Sequence, residues 1–434
     1  MSGRRVIVLL GVVLAGCGAL GGGHDGGTGR GGTGGAAAGA AGAQAGASGG
    51  TGAGGGKGGG GGGSGGGSVG GAGGSVGGAG GNVGSGVSSG GSGGSDGGGR
   101  PGAGGGGQAG AGGSGGRGVC AVPSLGGGPV ISISGHLDIG VHDPSMIWDG
   151  SRYYLFGTGG KLSVRSSLNL VQWAYGQSIF TAIPAWVTSA IGSTPADLWA
   201  PDISYFNCQF HVYYAGSTFG SNESVIGLAT SPVLDPNSRD YRWTDQGMVV
   251  QSKSSDNFNA IDPNVAFDQD GAPWLAFGSF WSGIKLRQLD PATGKLSTSN
   301  TTTYAIAGRG NGGAIEAASI ISHNGFYYLF VSFDACCKGV DSTYRTMVGR
   351  ASAITGPYTD KAGKNMTSGA AEQLLASSGR YIGPGGGTAW KNGDGYLYVY
   401  HYYDGDNQGA SKLAIRPITF DSTDWPVLGD MIFQ

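Results

Sequence analysis

Between Asp143 and Tyr400 one pattern recurs five times: a short apolar strand, a polar turn, then a strand dense in aromatics. The first copy runs from Asp143 through Asp149-Gly150 into Tyr153-Tyr154-Leu155-Phe156, and the second from Pro201 through Asn207 into Phe210 to Tyr214. Asp262 then leads through Asp270-Gly271 to Trp274-Leu275-Ala276-Phe277, and Glu316 through Asn324-Gly325 to Tyr327-Tyr328-Leu329-Phe330. The last copy passes from Gly386 through Asp394-Gly395 to Tyr396 and onward to Tyr400. The copies start about 55 to 70 residues apart, enough for a four-stranded antiparallel sheet with its loops, and helical periodicity is hard to find anywhere. The expected fold class is all-β, a five-bladed β-propeller. A β-sandwich also supplies many short strands, but it does not predict one hairpin recurring with chemistry at its first residue.

This pattern belongs to one part of the chain only. Residues 1–118 contain no Phe, Trp or Tyr, so all 9 Trp, 18 Tyr and 14 Phe fall in 119–434, while much of the glycine, 99 residues in all, lies before them. A segment of Gly, Ser, Ala and Thr has too little apolar surface to offset the backbone entropy lost on ordering, whereas 119–434 is long enough to bury a sizeable core. Three regions are expected: a signal peptide with lipobox over 1–17, a disordered Gly-rich linker over 18–118, and the propeller over 119–434. The linker reads as a flexible tether of roughly 55 Å root-mean-square span.

The N-terminus has the features of an export signal. Arg4 and Arg5 form the charged region, Val6 to Leu14 an apolar run too short for a permanent span, and Ala15-Gly16 the small residues of a cleavage site. Leu14-Ala15-Gly16-Cys17 resembles the lipobox of bacterial lipoproteins, in which Cys17 carries the lipid and becomes the mature N-terminus. The expected location is the bacterial cell envelope or the medium, with membrane contact only through that anchor. A formal charge of -2 offers no polyelectrolyte field, and no basic stripe is present, so nucleic acid is not an expected partner. An aromatic-rich, nearly neutral domain suits an uncharged ligand with flat apolar faces and many hydroxyls, which describes a carbohydrate. The chain is expected to be a monomer.

In a propeller the first strand of every blade lines the central axis, so equivalent first-strand residues converge on one cavity. Three of these are acids, Asp143, Asp262 and Glu316, while Pro201 and Gly386 hold the corresponding places in blades two and five. Each acid alone reads as a turn or cap; three together do not, because burying unpartnered carboxylates is costly. Glycosidic hydrolysis with inversion needs one carboxylate to deprotonate water and one carboxylic acid to protonate the leaving oxygen. A third carboxylate beside the acid raises its pKa by like-charge repulsion. The same three groups also suit a calcium ion, which takes oxygen ligands.

The motifs then become specific. His142-Asp143-Pro144-Ser145, Asn259-Ala260-Ile261-Asp262-Pro263 and Ile315-Glu316-Ala317 stand in order with Leu198-Trp199-Ala200-Pro201-Asp202, Gly278-Ser279-Phe280-Trp281, Cys336-Cys337, Gly383-Pro384-Gly385-Gly386 and His401-Tyr402-Tyr403-Asp404. Over essentially all of 119–434 this set resembles glycoside hydrolase family 43 and, within it, the endo-α-1,5-L-arabinanases. The resemblance implies that Asp143 is the base, Asp262 the pKa modulator and Glu316 the acid, with arabinan the polysaccharide partner. The related invertase-like propellers are disfavoured, since they resemble Asn-Asp-Pro-Asn at the base and place a Cys after the acid.

Around the acids, Trp199, Phe280 and Trp281 are candidates to stack on a sugar ring, with Phe219 a further one; core packing is the plain alternative. Asn259 and Ser279 are candidates to hydrogen-bond sugar hydroxyls, or else cap strand ends. Many relatives carry a histidine after the Gly-Pro-Gly motif that helps hold a metal. Gly386 stands there in this chain, leaving His401 as the candidate metal ligand; no cofactor is expected to be required, and a structural calcium in the central channel is kept as an option. Export permits disulfides. Cys336 and Cys337 can close a vicinal ring at a corner bordering the cleft, and Cys120 with Cys208 can form a second bridge. Competing functions are an exo-acting arabinofuranosidase or xylosidase of the same fold and a propeller lectin that binds sugar without cleaving it.

Overall fold

The computed structural model describes residues 126–130 and 138–433. The expected signal peptide, Cys17, the Gly-rich linker and Cys120 lie outside them. The five predicted hairpins each extend into a four-stranded antiparallel sheet whose strands follow one another in sequence. Blade one is β1 Ser145–Trp148, β2 Tyr153–Gly157, β3 Ser163–Ser167 and β4 Trp173–Tyr175. Blade two is β5 Trp199–Phe206, β6 Gln209–Gly216, β7 Ser224–Ser231 and β8 Thr244–Ser252. Blade three is β9 Asn264–Phe267, β10 Pro273–Phe277, β11 Ile284–Gln288 and β12 Tyr304–Ala307. Blade four is β13 Ile315–His323, β14 Phe326–Phe333, β15 Arg345–Ala351 and β16 Glu372–Leu375. Blade five is β17 Tyr381–Asn392, β18 Gly395–Asp404, β19 Ala410–Phe420 and β20 Pro426–Leu428.

The first strands touch in a closed cycle, β1 to β5, β5 to β9, β9 to β13, β13 to β17 and β17 back to β1, which makes the molecule a five-bladed β-propeller. Inner strands lie between neighbouring blades, so they are buried on both faces and read as continuous apolar runs: every residue of β2 and of β7 is buried. Five clusters of apolar side chains fill the gaps between successive blades, such as Tyr154, Phe156, Ile203 and Val212 between blades one and two. Asn324-Gly325 turns β13 into β14 with both residues at positive φ (47° and 78°), the conformation a two-residue hairpin favours. Among the described residues one short α-helix departs from the all-β expectation. It is α1, Ala185–Ile191, and it buries Val187 and Ile191, one helical turn apart, after Pro184 and before a left-handed Gly192.

The backbone also corrects the alignment of the blades. One residue at the head of each first strand adopts a left-handed conformation: Asp143 (φ 47°), Ala200 (φ 42°), Asp262 (φ 55°), Ala317 (φ 54°) and Gly386 (φ 57°). The equivalent position in blade two is therefore Ala200, not Pro201, and Glu316 stands one residue before its blade's equivalent. Two residues after each left-handed position comes a small polar side chain, in order Ser145, Asp202, Asn264, Ser319 and Thr388. These form a hydrogen-bonded belt around the axis. Ile203 N–H donates to Ser145 Oγ (3.1 Å), Val265 N–H to Asp202 Oδ2 (2.8 Å), Ile320 N–H to Asn264 Oδ1 (2.9 Å) and Ala389 N–H to Ser319 Oγ (2.9 Å). Thr388 Oγ1 closes the ring by donating to Pro144 O (3.1 Å). The belt ties each blade to the next, two residues beyond the left-handed positions.

Candidate active site

Pro144 and Pro263 follow Asp143 and Asp262, and both acids take the positive φ that aims the side chain toward the axis rather than into the sheet. Asp143 Oδ2 accepts hydrogen bonds from Thr158 Oγ1 (2.7 Å) and His142 Nδ1 (2.8 Å). Thr158 in turn accepts from Ala200 N–H (2.8 Å), which fixes its proton on the Asp143 side. Glu316 is buried at 8% exposure and accepts from Ser279 Oγ (2.6 Å) on Oε2 and from the Tyr344 hydroxyl on Oε1. Asp262 Oδ2 accepts from the N–H of Ala317, the residue after Glu316 (3.0 Å). The chain of contacts closes through His401, whose ring lies 6.2 Å from Tyr344 and whose Nδ1 lies 3.7 Å from Asp143 Oδ1. Asp143, Asp262 and Glu316 are thus neighbours around one axial pocket.

Their environments set them apart electrostatically. Burial alone raises a carboxyl, but the His142 imidazole, His401 and the Thr158 hydroxyl bring Asp143 down to about 2. Burial holds Glu316 above the ordinary glutamate value, and the charge of Asp143 adds to this against the hydrogen bonds from Ser279 and Tyr344. Asp262 is pushed well up, first by burial and then by the Glu316 and Asp143 carboxylates. One carboxylate ionised beside a pair that retains a proton is the arrangement that acid–base cleavage of a glycosidic bond requires.

The sequence profile of Glycosyl hydrolases family 43 matches residues 137–426. The chain belongs to this family. The extracellular endo-α-(1→5)-L-arabinanase 1 of Bacillus subtilis (strain 168) is 45% identical over 291 residues, spanning 66% of this chain and 87% of that protein. The extracellular exo-α-(1→5)-L-arabinofuranosidase ArbA of Cellvibrio japonicus (strain Ueda107) is 38% identical over 306 residues, 67% of this chain and 87% of that one. The solved structure of Cellvibrio cellulosa α-L-arabinanase complexed with arabinohexaose is 36% identical and superimposes with a TM-score of 0.65 over 67% of this chain and 96% of that one.

Within the family 43 domain the remaining predicted residues take distinct places. Trp199 and Trp281 are half-buried, Phe280 is 38% exposed and Phe219 82% exposed. Phe219 and the Phe280-Trp281 pair lie on equivalent loops, those joining the second and third strands of blades two and three. Phe280 N–H donates to Ile315 O (2.9 Å), tying this aromatic rim to the strand that carries Glu316. Asn259 is 3% exposed; its Nδ2 donates to Ser221 O (3.3 Å) and its Oδ1 has no partner among the described residues. Ser279 Oγ donates to Glu316 Oε2 (2.6 Å), so this candidate lies against one of the three carboxyls.

His401, His142 and Asp143 offer ligand atoms within 4.8 Å of one another. Calcium takes six to eight oxygen ligands, and this set offers two imidazoles to one carboxylate. Every ring nitrogen is already hydrogen-bonded: His142 to Asp143 and to the Tyr403 hydroxyl (2.8 Å each), His401 to Asp143 N–H (3.1 Å) and to the Tyr403 hydroxyl (3.3 Å). The residues present do not fit calcium. Gly386 explains the arrangement. A Cβ there would lie 2.5 Å from His401 Cε1 and 2.7 Å from Asp143 Oδ1, so His401 fills the space a side chain at 386 would need.

Sequence reasoning gave no role to Thr158, Tyr344 or Tyr403. Thr158 sits on the blade-one loop equivalent to Ser279's, a relation visible only once the blades are superimposed. Tyr344 lies in a blade-four loop where nothing local marks it. The expected Cys336–Cys337 disulfide is formed. Cys208 is also disulfide-bonded.

Proposed function

We propose that the family 43 domain hydrolyses internal α-1,5-L-arabinofuranosidic bonds of arabinan with inversion, Asp143 acting as base, Glu316 as acid and Asp262 as modulator. The observation that carries this reading is the split within one pocket between Asp143, held near 2, and a raised Glu316–Asp262 pair. A water between base and sugar gives a proton to Asp143 as its oxygen bonds to the anomeric carbon. Glu316 gives its proton to the departing O5, and the glycosidic bond breaks. Glu316 and Asp262 together retain a proton, and Asp262, through Ala317 N–H, holds the backbone beside the acid. The 45% identity to an endo-arabinanase supports internal cutting, and an exo-acting enzyme is the second reading because ArbA is 38% identical. Export, with a lipid on Cys17 and a monomeric enzyme at the end of the Gly-rich tether, is part of the same proposal. It is supported by the Leu14–Cys17 residues and by the extracellular Bacillus relative.

The test is hydrolysis of debranched arabinan, arabinoxylan and an aryl arabinofuranoside by wild type, Asp143→Ala and Glu316→Ala. Expected are early release of longer oligomers from arabinan alone, and a loss of about 10²–10⁴-fold in turnover in each variant with binding retained. Arabinose as the sole early product favours the exo reading; unchanged turnover in the variants removes the residue roles.

A further inference from the structure

The loop joining β14 to β15, residues 334–344, touches Glu316 directly and reaches Asp143 through Tyr403 and His142. Its neck is closed by Thr343 N–H to Ala335 O (2.8 Å) and Ala335 N–H to Thr343 Oγ1 (3.1 Å). Asp334 pins one end through Arg309 (2.7 Å) and Arg345 (2.6 Å). At the other end the Tyr344 hydroxyl donates to Glu316. At the tip, Cys337 takes a left-handed conformation (φ 65°) and its N–H donates to the Tyr403 hydroxyl (2.8 Å). Tyr403 leads to His142 Nε2 (2.8 Å), and His142 Nδ1 to Asp143 Oδ2 (2.8 Å). Cys337 Sγ itself lies 3.7 Å from His142 Nε2.

The direction of each bond follows from the donors. Asp143 N–H donates to His401 Nδ1, which leaves the His401 proton on Nε2, facing the Tyr403 oxygen. With His142 neutral, Tyr403 accepts from Cys337 and His401 and donates to His142 Nε2, and His142 donates from Nδ1 to Asp143. The orientation of the base thus traces back, atom by atom, to the backbone of Cys337. A left-handed non-glycine residue is an unfavourable conformation that persists only when something holds it, and the covalent ring between adjacent cysteines does so here.

We propose that the Cys336–Cys337 disulfide is a positioning device for the general base: by fixing Cys337 N–H on Tyr403 it sets His142, and through it Asp143, relative to Glu316. This rests on the roles proposed for Asp143 and Glu316. An apolar wall for the sugar is the competing role for such a ring, and it acts on binding rather than on turnover.

The experiment compares full-length protein on linear arabino-oligosaccharides before and after treatment with a dithiol, which passes two electrons and two protons to the two sulfurs. Thiols are counted by alkylation and mass spectrometry. Reduction is expected to lower kcat at least about 10-fold while KM stays within about twofold, since a small displacement of a reacting group is costly. Reoxidation restores kcat. Tyr403→Phe shows a similar fall and loses nothing more on reduction. Cys336→Ser/Cys337→Ser is likewise slow and unmoved by the dithiol, which separates the effect from the disulfide at Cys208. Unchanged kcat with both thiols alkylated, a loss confined to KM, or a Tyr403→Phe enzyme that still drops 10-fold on reduction overturns the proposal. An oxidised wild type without hydrolytic turnover takes down the proposed function and this inference with it.

Discussion

Asp143 and Glu316 are both buried carboxyls, yet they sit on opposite sides of the ordinary range: two histidines and a hydroxyl outweigh burial for Asp143, whereas burial, aided by the Asp143 charge, outweighs the Ser279 and Tyr344 hydroxyls for Glu316. Tyr344 and Ser279 stabilise the ionised form of Glu316, so removing either raises its pKa further. Tyr344→Phe should therefore move the alkaline limb of the kcat/KM profile to higher pH; a limb that stays or moves down contradicts the assigned role of the hydroxyl. The three acids were legible in the sequence because each opens a recurring hairpin. Tyr344 was not, because a tyrosine amid loop residues looks like any other, and its partner lies 28 positions away.

At the scale of the strands, the belt of Ser145, Asp202, Asn264, Ser319 and Thr388 ties each blade to the next. Asn264 has two attachments: Nδ2 donates to Asp202 (3.1 Å) and Oδ1 accepts from Ile320 N–H. Asn264→Ala strands buried partners on both sides, a loss of about 2–4 kcal/mol that denaturant titration should read. Asp202 carries a pH signature. Burial pushes it up to about 7 against its hydrogen bonds from Val265, Asn264 and Ser145. A folded pKa above the unfolded one gives stability that is complete below about 4 and is lost as pH rises through about 7. Melting temperature should thus fall between about pH 4 and 7. Asp202→Asn should flatten part of that fall, with the raised Asp262 and Glu316 supplying the remainder; an identical slope in wild type and variant rules it out. The hairpins and their turns were readable from aromatic runs and Asn-Gly or Asp-Gly pairs. The belt was not, since each small polar residue alone resembles a turn former, and the shared backbone position that relates them is a property of φ. The same blindness put Pro201 where Ala200 belongs.

Across the whole molecule, each sheet of the described residues is sequential, and among those residues no blade borrows a strand from the far end of the chain. The ring is closed instead by side chains and short contacts. Thr388 binds Pro144 O, Gly140 bridges to Lys412, and Ile432 and Phe433 pack beside Val141 and Met146. Closure is what brings residues from blades one, three and four to a common pocket, and it was predictable from the fivefold repeat alone, because hairpins that bury both faces need neighbours on both sides. The central claim is that this pocket cleaves α-arabinofuranosidic bonds by a single displacement with water on the face opposite the leaving group. Proton NMR of linear arabinan during the first moments of hydrolysis tests it most directly. The account predicts that the newly formed reducing ends appear first as the β-anomer and only later equilibrate by mutarotation; ends that appear first as the α-anomer contradict it.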